Sequence, residues 1–179
     1  MPVSVEASPR IDGVAIVRFQ SFADDRGYFL ETYRRSWIPG SREMVQGNYS
    51  FSKAGVLRGM HYHLKQADLW SVPHGLVRAA LFDFRTGSPT YGRAQVLEIG
   101  EGSSIGVYIP RGVAHGFFAV KDSIMTYLVD EYYDGADELG IRWNDPALGI
   151  AWGVTDPIVS ARDAKNPALA EIAPGSRPR

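Results

Sequence analysis

Cysteine is missing from the 179-residue sequence. Its absence excludes disulfides, thiolate nucleophiles, iron–sulfur clusters and cysteine-ligated zinc, which leaves histidine and carboxylate side chains as candidate metal ligands. The N-terminal residues contain neither a basic region nor an apolar signal segment, and no apolar run approaches the roughly 18 residues of a membrane-spanning helix. We therefore expect a soluble, cytoplasmic protein without a membrane partner.

A charge excess of either sign is also lacking. The 19 Lys and Arg residues nearly balance the 20 Asp and Glu residues, and the formal net charge is −1. Proteins that bind nucleic acid through its phosphates need clustered basic residues, so this balance argues against a nucleic-acid partner. The length and the 45% content of hydrophobic residues fit one globular domain over residues 1–179, with a frayed tail from about residue 174 to 179.

Long segments with the 3.6-residue period of an amphipathic helix are missing too, and the best helix candidate is a short one at residues 166–171. Short apolar runs separated by the 19 glycines and 11 prolines predominate instead. One β-branched run, at residues 14–19, follows the turn pair Asp12 and Gly13, and the nearly unbroken apolar run at 76–84 is typical of a strand buried on both faces. The pattern predicts an all-β domain, an antiparallel sandwich or barrel of the jelly-roll type.

Histidines occur where the polar residues are densest. His61 and His63 are two residues apart, so on a strand their side chains lie on the same face. His115 follows a turn and lies at the start of another apolar run. A lone histidine is usually a hydrogen-bonded structural residue, but two on one face, preceded by Arg58, point to a functional site. In a double-stranded β-helix the two histidine segments can meet inside the barrel.

Six segments occur in an order and spacing that resemble the dTDP-4-dehydrorhamnose 3,5-epimerase family. They are RGYFLE at 26–31, QGNYS at 46–50, GVLRGMHY at 55–62, SPTYG at 88–92, IPRGVAHGF at 109–117 and WNDP at 143–146. The resemblance implies a cupin-type jelly roll that needs no metal cofactor and forms a homodimer, with the edge strand at residues 14–19 as a candidate contact. It also implies inversion of C3, C5 or both in a dTDP-linked 4-keto-6-deoxy sugar.

The resemblance assigns three catalytic roles. His61 corresponds to the family's base, Asp163 to the carboxylate that orients it, and Tyr127 to the proton donor. A carboxylate on the far ring nitrogen selects the tautomer of the base and stabilises the imidazolium. A phenol is protonated at neutral pH and can return a proton to the opposite face of the sugar.

A second set of residues corresponds to the family's contacts with the nucleotide sugar. Arginine suits the diphosphate because its planar guanidinium presents a fork of donors, and the ring of Tyr132 is expected to stack on thymine. The full set is Arg26, Glu31, Gln46, Asn48, Arg58, His115, Tyr132, Glu138 and Arg162.

Three positions depart from the family's usual residues. His63 stands where the family usually has Gln, Asp68 where it has Lys, and Arg162 where it has Lys. The Lys that Asp68 replaces is expected to stabilise the enolate oxygen, which a carboxylate would repel. Lys65 can replace that cation only if its loop turns inward. The carbon that is inverted and the identity of the keto sugar therefore stay open.

The same departures leave two alternatives. The spacings G-x5-H-x-H-x4-D-x6-G and P-x-G-x-x-H resemble the metal-binding motifs of metallo-cupins, with Asp in place of Glu. A divalent transition metal would then be bound by His61, His63, Asp68 and His115. A coordinated His61 could not also serve as the free base. The other alternative is a non-catalytic protein that binds a nucleotide sugar.

Overall fold

A computed structural model describes residues 3–179, which form two facing β-sheets and a separate hairpin. The strands are β1 (Ser4–Ala7), β2 (Ala15–Arg18), β3 (Ser21–Asp24), β4 (Gly27–Leu30), β5 (Gln46–Ser52), β6 (Leu57–Tyr62), β7 (Asp68–His74), β8 (Leu76–Asp83), β9 (Ala94–Gly100), β10 (Ile105–Ile109), β11 (Val113–Ala119), β12 (Ser123–Val129) and β13 (Leu139–Gly140).

One sheet has six strands in the order β1-β2-β10-β7-β12-β5, and the other has five in the order β13-β6-β11-β8-β9. Strands β3 and β4 pair with each other as a two-stranded hairpin. Non-consecutive neighbours dominate both sheets, as in a jelly roll, so the all-β jelly-roll prediction is confirmed. The helical segments of residues 3–179 are short 3-10 turns, and none is long and apolar enough to cross a bilayer.

Strand β8 shows how an apolar run becomes the centre of this sandwich. It pairs with β11 on one side and β9 on the other, and its side chains alternate between the two faces of the sheet. Val77 and Leu81 pack in the core between the sheets. Ala80 and Phe82 pack in a second core on the outer face of the five-stranded sheet. The prediction of a strand buried on both faces is therefore confirmed.

Irregular segments cover the outer face of each sheet. Leu148, Trp152 and Ile172 from the C-terminal segment complete the core outside the five-stranded sheet. Ile38 and Trp37, from the segment that follows β4, pack against the outer face of the six-stranded sheet. Burial of these side chains removes apolar surface from water on both sides of the sandwich. The C-terminal segment that covers the five-stranded sheet also contains Asp163, which accepts a hydrogen bond from Gly59 on β6.

Two expectations from the sequence need correction, one about a strand and one about a helix. The run at residues 14–19 does not form an edge, because β2 pairs with both β1 and β10. The helix expected at 166–171 is a single 3-10 turn, Leu169–Glu171. Pro167 O accepts the N–H of Arg142 at 2.8 Å, and the N–H of Glu171 bonds to Ala168 O at 2.9 Å, which is the i→i−3 pattern of a 3-10 turn.

The C-terminal residues 174–179 were expected to fray, but they lie against the loop after β8. Thr86 donates its backbone N–H to Pro178 O at 2.8 Å. Arg177 donates to the hydroxyl of Tyr91 at 3.0 Å and to Ile172 O at 3.2 Å. These contacts connect the terminus to the body of the domain, which the polar composition of the tail did not indicate.

Strands β6 and β11 approach each other closely where two candidate site residues meet. His61 is the direct cross-strand partner of His115. A Cβ atom on Gly116 would lie 2.7 Å from Arg58 O, and one on Gly59 would lie 2.7 Å from the Cα of Gly116. Only glycine avoids these clashes, so the pair of glycines permits the strand approach that places both histidines on one cavity wall.

Asp83, at the end of β8, is fully buried and organises the following loop. Its carboxylate accepts hydrogen bonds from the guanidinium of Arg85, at 2.8 and 2.9 Å, and from the hydroxyls of Ser88 and Thr90. Burial raises the pKa of Asp83, but these donors outweigh it and lower the pKa to about 2. The carboxylate is therefore ionised throughout the neutral range.

Replacing Asp83 with Asn should lower the free energy of unfolding by about 3 kcal/mol at pH 7, because Arg85 is left partly buried without its counter-charge. Since the pKa of Asp83 is lowered on folding, its contribution is present above about pH 4 and is lost as the pH falls toward 2. The difference between the variant and the wild type in urea unfolding should shrink over that range. Asp25→Asn, at an exposed position, is the control, and an unchanged urea midpoint for Asp83→Asn would contradict the prediction.

Candidate active site

A cavity of about 550 Å³ lies between the two sheets. Its walls include β6 and β11 of the five-stranded sheet, β5, β7 and β12 of the six-stranded sheet, and residues 158–163 of the C-terminal segment. The expected catalytic and binding residues that line it are His61, Asp163, Tyr127, Gln46, Asn48, Arg58, His115, Glu138 and Arg162.

His61 is oriented by a buried carboxylate. Met60 and Tyr62 point into the outer core, so the alternation of β6 turns His61 into the cavity. Its Nε2 lies 2.7 Å from Oδ1 of Asp163, whose Oδ2 accepts the N–H of Gly59 at 3.1 Å. Because an ionised carboxylate only accepts, the ring proton of neutral His61 resides on Nε2 and Nδ1 carries the free lone pair. This is the arrangement that a histidine base requires.

Asp163 stays ionised although it is buried. Burial raises the pKa of Asp163, but the hydrogen bond and charge of His61, the N–H of Gly59 and the charge of Arg162 together lower it below the ordinary value of 3.8. The N–H of Asp163 itself donates to Ser160 Oγ at 3.0 Å, which anchors the turn that carries the carboxylate. An ionised partner stabilises the imidazolium that forms when His61 takes up a proton.

Tyr127 reaches the same cavity from the opposite sheet. On β12 it is the cross-strand partner of both Asn48 on β5 and Trp70 on β7, so the three side chains form one row on the inner face of the six-stranded sheet. Burial raises the pKa of Tyr127 above its usual 10.0, and the charge of Asp68 acts in the same direction. The phenol therefore holds its proton at neutral pH.

The remaining polar side chains form a wall suited to a polar, anionic ligand. Arg58 donates to two neutral acceptors, Ser52 Oγ at 3.0 Å and Phe51 O at 3.2 Å, and within residues 3–179 it makes no ion pair. Its positive charge is therefore available to an anion. Arg162, in contrast, is paired with Glu138 at 2.9 Å.

His63, Asp68 and His115 form a separate buried cluster in the cavity. One nitrogen or oxygen atom of each lies within 4.8 Å of those of the other two. Burial lowers the pKa of His115 to about 4, so its imidazole is neutral at pH 7. The four-residue metal set considered from the sequence needs correction, because His61 is bonded to Asp163 and lies outside this cluster.

A family model described as dTDP-4-dehydrorhamnose 3,5-epimerase matches residues 8–171. The chain belongs to this epimerase family. The dTDP-4-dehydrorhamnose 3,5-epimerase of Sinorhizobium fredii is 34% identical over 168 residues, which cover 89% of this chain and 86% of that protein. The dTDP-4-dehydrorhamnose 3-epimerase of Streptomyces niveus is 36% identical over 169 residues, with coverages of 90% and 82%.

Solved structures of the epimerase family share the fold. The Legionella pneumophila enzyme in complex with dTDP-4-keto-L-rhamnose superposes with a TM-score of 0.92 at 31% identity, covering 99% of this chain and 98% of that one. The resemblance noted in the sequence is thereby confirmed over nearly the whole chain. Relatives named as 3,5-epimerases and as a 3-epimerase both match, so membership in the family leaves the inverted carbon open.

Three residues expected from the epimerase resemblance lie outside the cavity lining. Tyr132 and Tyr133 are both exposed, but Tyr133 lines the cavity and Tyr132 does not. Tyr133 donates its backbone N–H to Gln46 Oε1 at 3.1 Å. Arg26 and Glu31 are the other two, and they lie on and just after the β3–β4 hairpin. Tyr132 and Tyr133 lie between β12 and β13 in an irregular segment, where no strand alternation predicts which side chain faces the cavity.

Lys65 does not replace the family's lysine. Its Nζ lies 3.1 Å from the carboxylate of Asp134, and its side chain is 66% exposed. The loop therefore turns this cation outward, away from Asp68. Sequence reasoning also missed Trp70 and Gln66, which both line the cavity and donate to Asp68. The two-residue spacing of Asp68 and Trp70 on one strand is the signal that could have identified the tryptophan.

Replacing Asp163 with Asn should remove the base while preserving shape. The amide can donate to Nε2 of His61, which would move the ring proton to Nδ1 and occupy the lone pair that faces the cavity. We expect solvent-deuterium exchange next to the keto group of a dTDP-4-keto-6-deoxy sugar to slow by about 10²- to 10⁴-fold, with ligand affinity nearly unchanged. NMR measures the exchange rate, and calorimetry measures the ligand affinity. Asp156→Asn, at an exposed position, is the control; equal exchange rates in the two variants would refute the role of Asp163.

Proposed function

We propose that this protein is an isomerase that epimerises a dTDP-linked 4-keto-6-deoxy sugar at C3, C5 or both. The observation that carries the proposal is the position of His61 and Tyr127 on opposite sheets of one cavity. A sugar ring held between the sheets would present one face to the base and the other to the acid. Inversion at a carbon requires a proton to leave on one face and to arrive on the other.

His61 removes the proton. Its Nδ1 takes the proton from the carbon next to the C4 ketone, and the electron pair of the C–H bond moves to form the enolate, with the charge on the C4 oxygen. The imidazolium that results is stabilised by Asp163, which lies 2.7 Å from Nε2. Orientation of the base by a carboxylate that remains ionised makes proton removal feasible near neutral pH.

Tyr127 returns the proton. Its phenol delivers a proton to the carbanion carbon from the six-stranded sheet while the enolate electron pair moves back and the ketone re-forms. The raised pKa of Tyr127 keeps this proton in place until the enolate forms. The proton gained by His61 and the proton lost by Tyr127 exchange with water between turnovers, so the product carries a solvent proton at each inverted centre.

The proposal predicts distinct behaviour for the base and the acid. In D2O with dTDP-4-keto-6-deoxyglucose, the wild type should incorporate deuterium at C3, C5 or both with inversion, as followed by NMR. His61→Asn should abolish incorporation. Tyr127→Phe should lower inversion by about 10²-fold or more while incorporation persists, because His61 can return a deuteron to the face from which it took the proton.

Tyr91→Phe is the matched control, because Tyr91 lies outside the cavity lining. This variant should retain both deuterium incorporation and inversion. Equal loss of incorporation and inversion in Tyr127→Phe would contradict the assignment of the acid. Binding of the nucleotide sugar by the wild type without any incorporation would contradict the epimerase and favour the non-catalytic binding protein. The carbon that incorporates deuterium decides between 3-, 5- and 3,5-epimerisation.

We also infer that the active form is a homodimer in which the hairpin of one subunit completes the cavity of the other. Arg26 and Glu31, expected to bind the nucleotide sugar, lie outside the cavity of their own chain. The hairpin also exposes Phe22, Tyr28 and Phe29, with 54%, 68% and 68% of their surfaces accessible. An exposed aromatic patch of this kind is typical of an interaction surface.

The cytoplasmic location expected from the sequence stays a prediction.

Replacing Phe29 with Asp should dissociate the dimer, because a charge would be buried in an apolar contact. Sedimentation velocity should show a monomer, and the KM for the dTDP sugar should rise about 10-fold or more, since loss of a charged contact costs roughly 1.5–3 kcal/mol. Tyr91→Asp, a charge placed on another exposed tyrosine, should remain dimeric. A monomeric wild type with full activity would rule out the dimer proposal.

A further inference from the structure

Two histidines that line the cavity lie close to a buried carboxylate, and each has one ring nitrogen bonded to a backbone carbonyl. His63 Nδ1 lies 2.9 Å from Asp137 O, and His115 Nδ1 lies 2.9 Å from Val113 O. A backbone carbonyl can only accept, so both rings carry their proton on Nδ1 and present the lone pair of Nε2. Histidines that bind metals are usually oriented in this way, with the far N–H donated to a carbonyl or carboxylate.

Asp68 is a buried carboxylate without a Lys or Arg partner within residues 3–179. Gln66 Nε2 donates to Oδ1 at 2.8 Å and Trp70 Nε1 donates to Oδ2 at 3.0 Å. Each carboxylate oxygen has a second lone pair that these bonds leave free. The nearest basic atom is Nε2 of His115, at 3.9 Å from Oδ2. Buried carboxylates are often paired with a cation or coordinate a metal, and the free lone pairs of Asp68 could bind one.

We propose that His63, Asp68 and His115 bind one divalent transition-metal ion through the two Nε2 atoms and one carboxylate oxygen. Two imidazoles and a carboxylate suit Fe²⁺, Mn²⁺, Ni²⁺ or Zn²⁺. Bonds of roughly 2.0–2.2 Å allow ligand atoms up to about 4.4 Å apart. One ligand atom of each residue lies within 4.8 Å of those of the other two, and Nε2 of His115 lies 3.9 Å from Oδ2 of Asp68, so the side chains need to move by only about half an ångström to bind one ion.

The proposed ion does not compete with the base. His61 is bonded through Nε2 to Asp163 and does not belong to the cluster, so the reason for regarding metal binding and a free base as exclusive no longer holds. The family resemblance leads us to expect Gln and Lys at the positions of His63 and Asp68. The two residues that stand there instead supply two ligands of one proposed site.

The ion would supply a positive charge in the part of the cavity where the resemblance leads us to expect a lysine. Held by His63, Asp68 and His115, a divalent cation would act as a Lewis acid that stabilises the negative charge of an enolate, while His61 keeps its role as the base. This role rests on the proposed epimerase function. The binding of the ion itself does not, because it depends only on the geometry of the cluster.

Metal content tests the proposal. The wild type is stripped with a chelator, dialysed against Zn²⁺ and then against buffer, and analysed by mass spectrometry of the metal together with thermal unfolding. We expect one Zn²⁺ per chain and a Zn²⁺-dependent rise in Tm. His63→Gln, which restores the residue usual in the family, and Asp68→Asn should each weaken Zn²⁺ binding by about 100-fold or more.

Two histidine variants outside the cluster are the matched controls. His74→Gln, at an exposed position, and His61→Asn should both keep one Zn²⁺ per chain. Absence of Zn²⁺ from the wild type, or full retention in His63→Gln, would overturn the proposal. Because glutamine is close to histidine in size and can donate the same hydrogen bond to Asp137 O, His63→Gln remains informative even if Asp68→Asn does not fold.

Deuterium exchange by the stripped and reloaded enzyme separates this inference from the proposed function. Slower exchange after stripping, with recovery on addition of Zn²⁺, supports both the metal site and the epimerase function. Exchange by a wild type that binds no Zn²⁺ overturns the metal site and leaves the epimerase standing. Stoichiometric Zn²⁺ without exchange supports the site and overturns the epimerase.

Discussion

The hydrogen bond between His61 and Asp163 joins two parts of the chain that are 102 residues apart. It attaches the C-terminal layer to the five-stranded sheet at the point where β6 and β11 approach through facing glycines. The same carboxylate accepts the N–H of Gly59, so it orients the base and the strand that carries it. The tautomer of the base depends on this contact. The C-terminal segment that supplies Asp163 also contributes Leu148, Trp152 and Ile172 to the outer core.

The jelly roll holds an apolar core and a polar cavity between the same two sheets. Along β7, β12 and β5, cross-strand partners lie on one face, so a row such as Asn48, Tyr127 and Trp70 projects inward together. Polar side chains in this position cost solvation energy, which the hydrogen bonds on the cavity wall offset. Among residues 3–179, Asp68 is a buried carboxylate whose side-chain donors, Gln66 and Trp70, are neutral, and the family resemblance leads us to expect a lysine at its position.

Much of the fold was predictable from residue patterns, because alternation and turn residues act locally. The run at 76–84 became the central strand β8, and Asp12 and Gly13 do form the turn before β2. The pairing of strands was not predictable in this way, since partners such as β2 and β10 are distant in sequence. The expected edge at residues 14–19 was wrong for this reason. The expected helix at 166–171 is a 3-10 turn, and Pro167 O, at its start, accepts the N–H of the distant Arg142.

For the active site, the sequence by itself determined the residue types and, through the family resemblance, the reaction class, because motif residues and their spacing are properties of the linear chain. The tertiary structure decided which of these residues share a cavity. It separated His61 from the cluster of His63, Asp68 and His115, turned Lys65 outward, and placed Tyr133 rather than Tyr132 on the cavity wall. Each of these outcomes depends on hydrogen bonds and strand register between residues far apart in the chain, which no local pattern encodes.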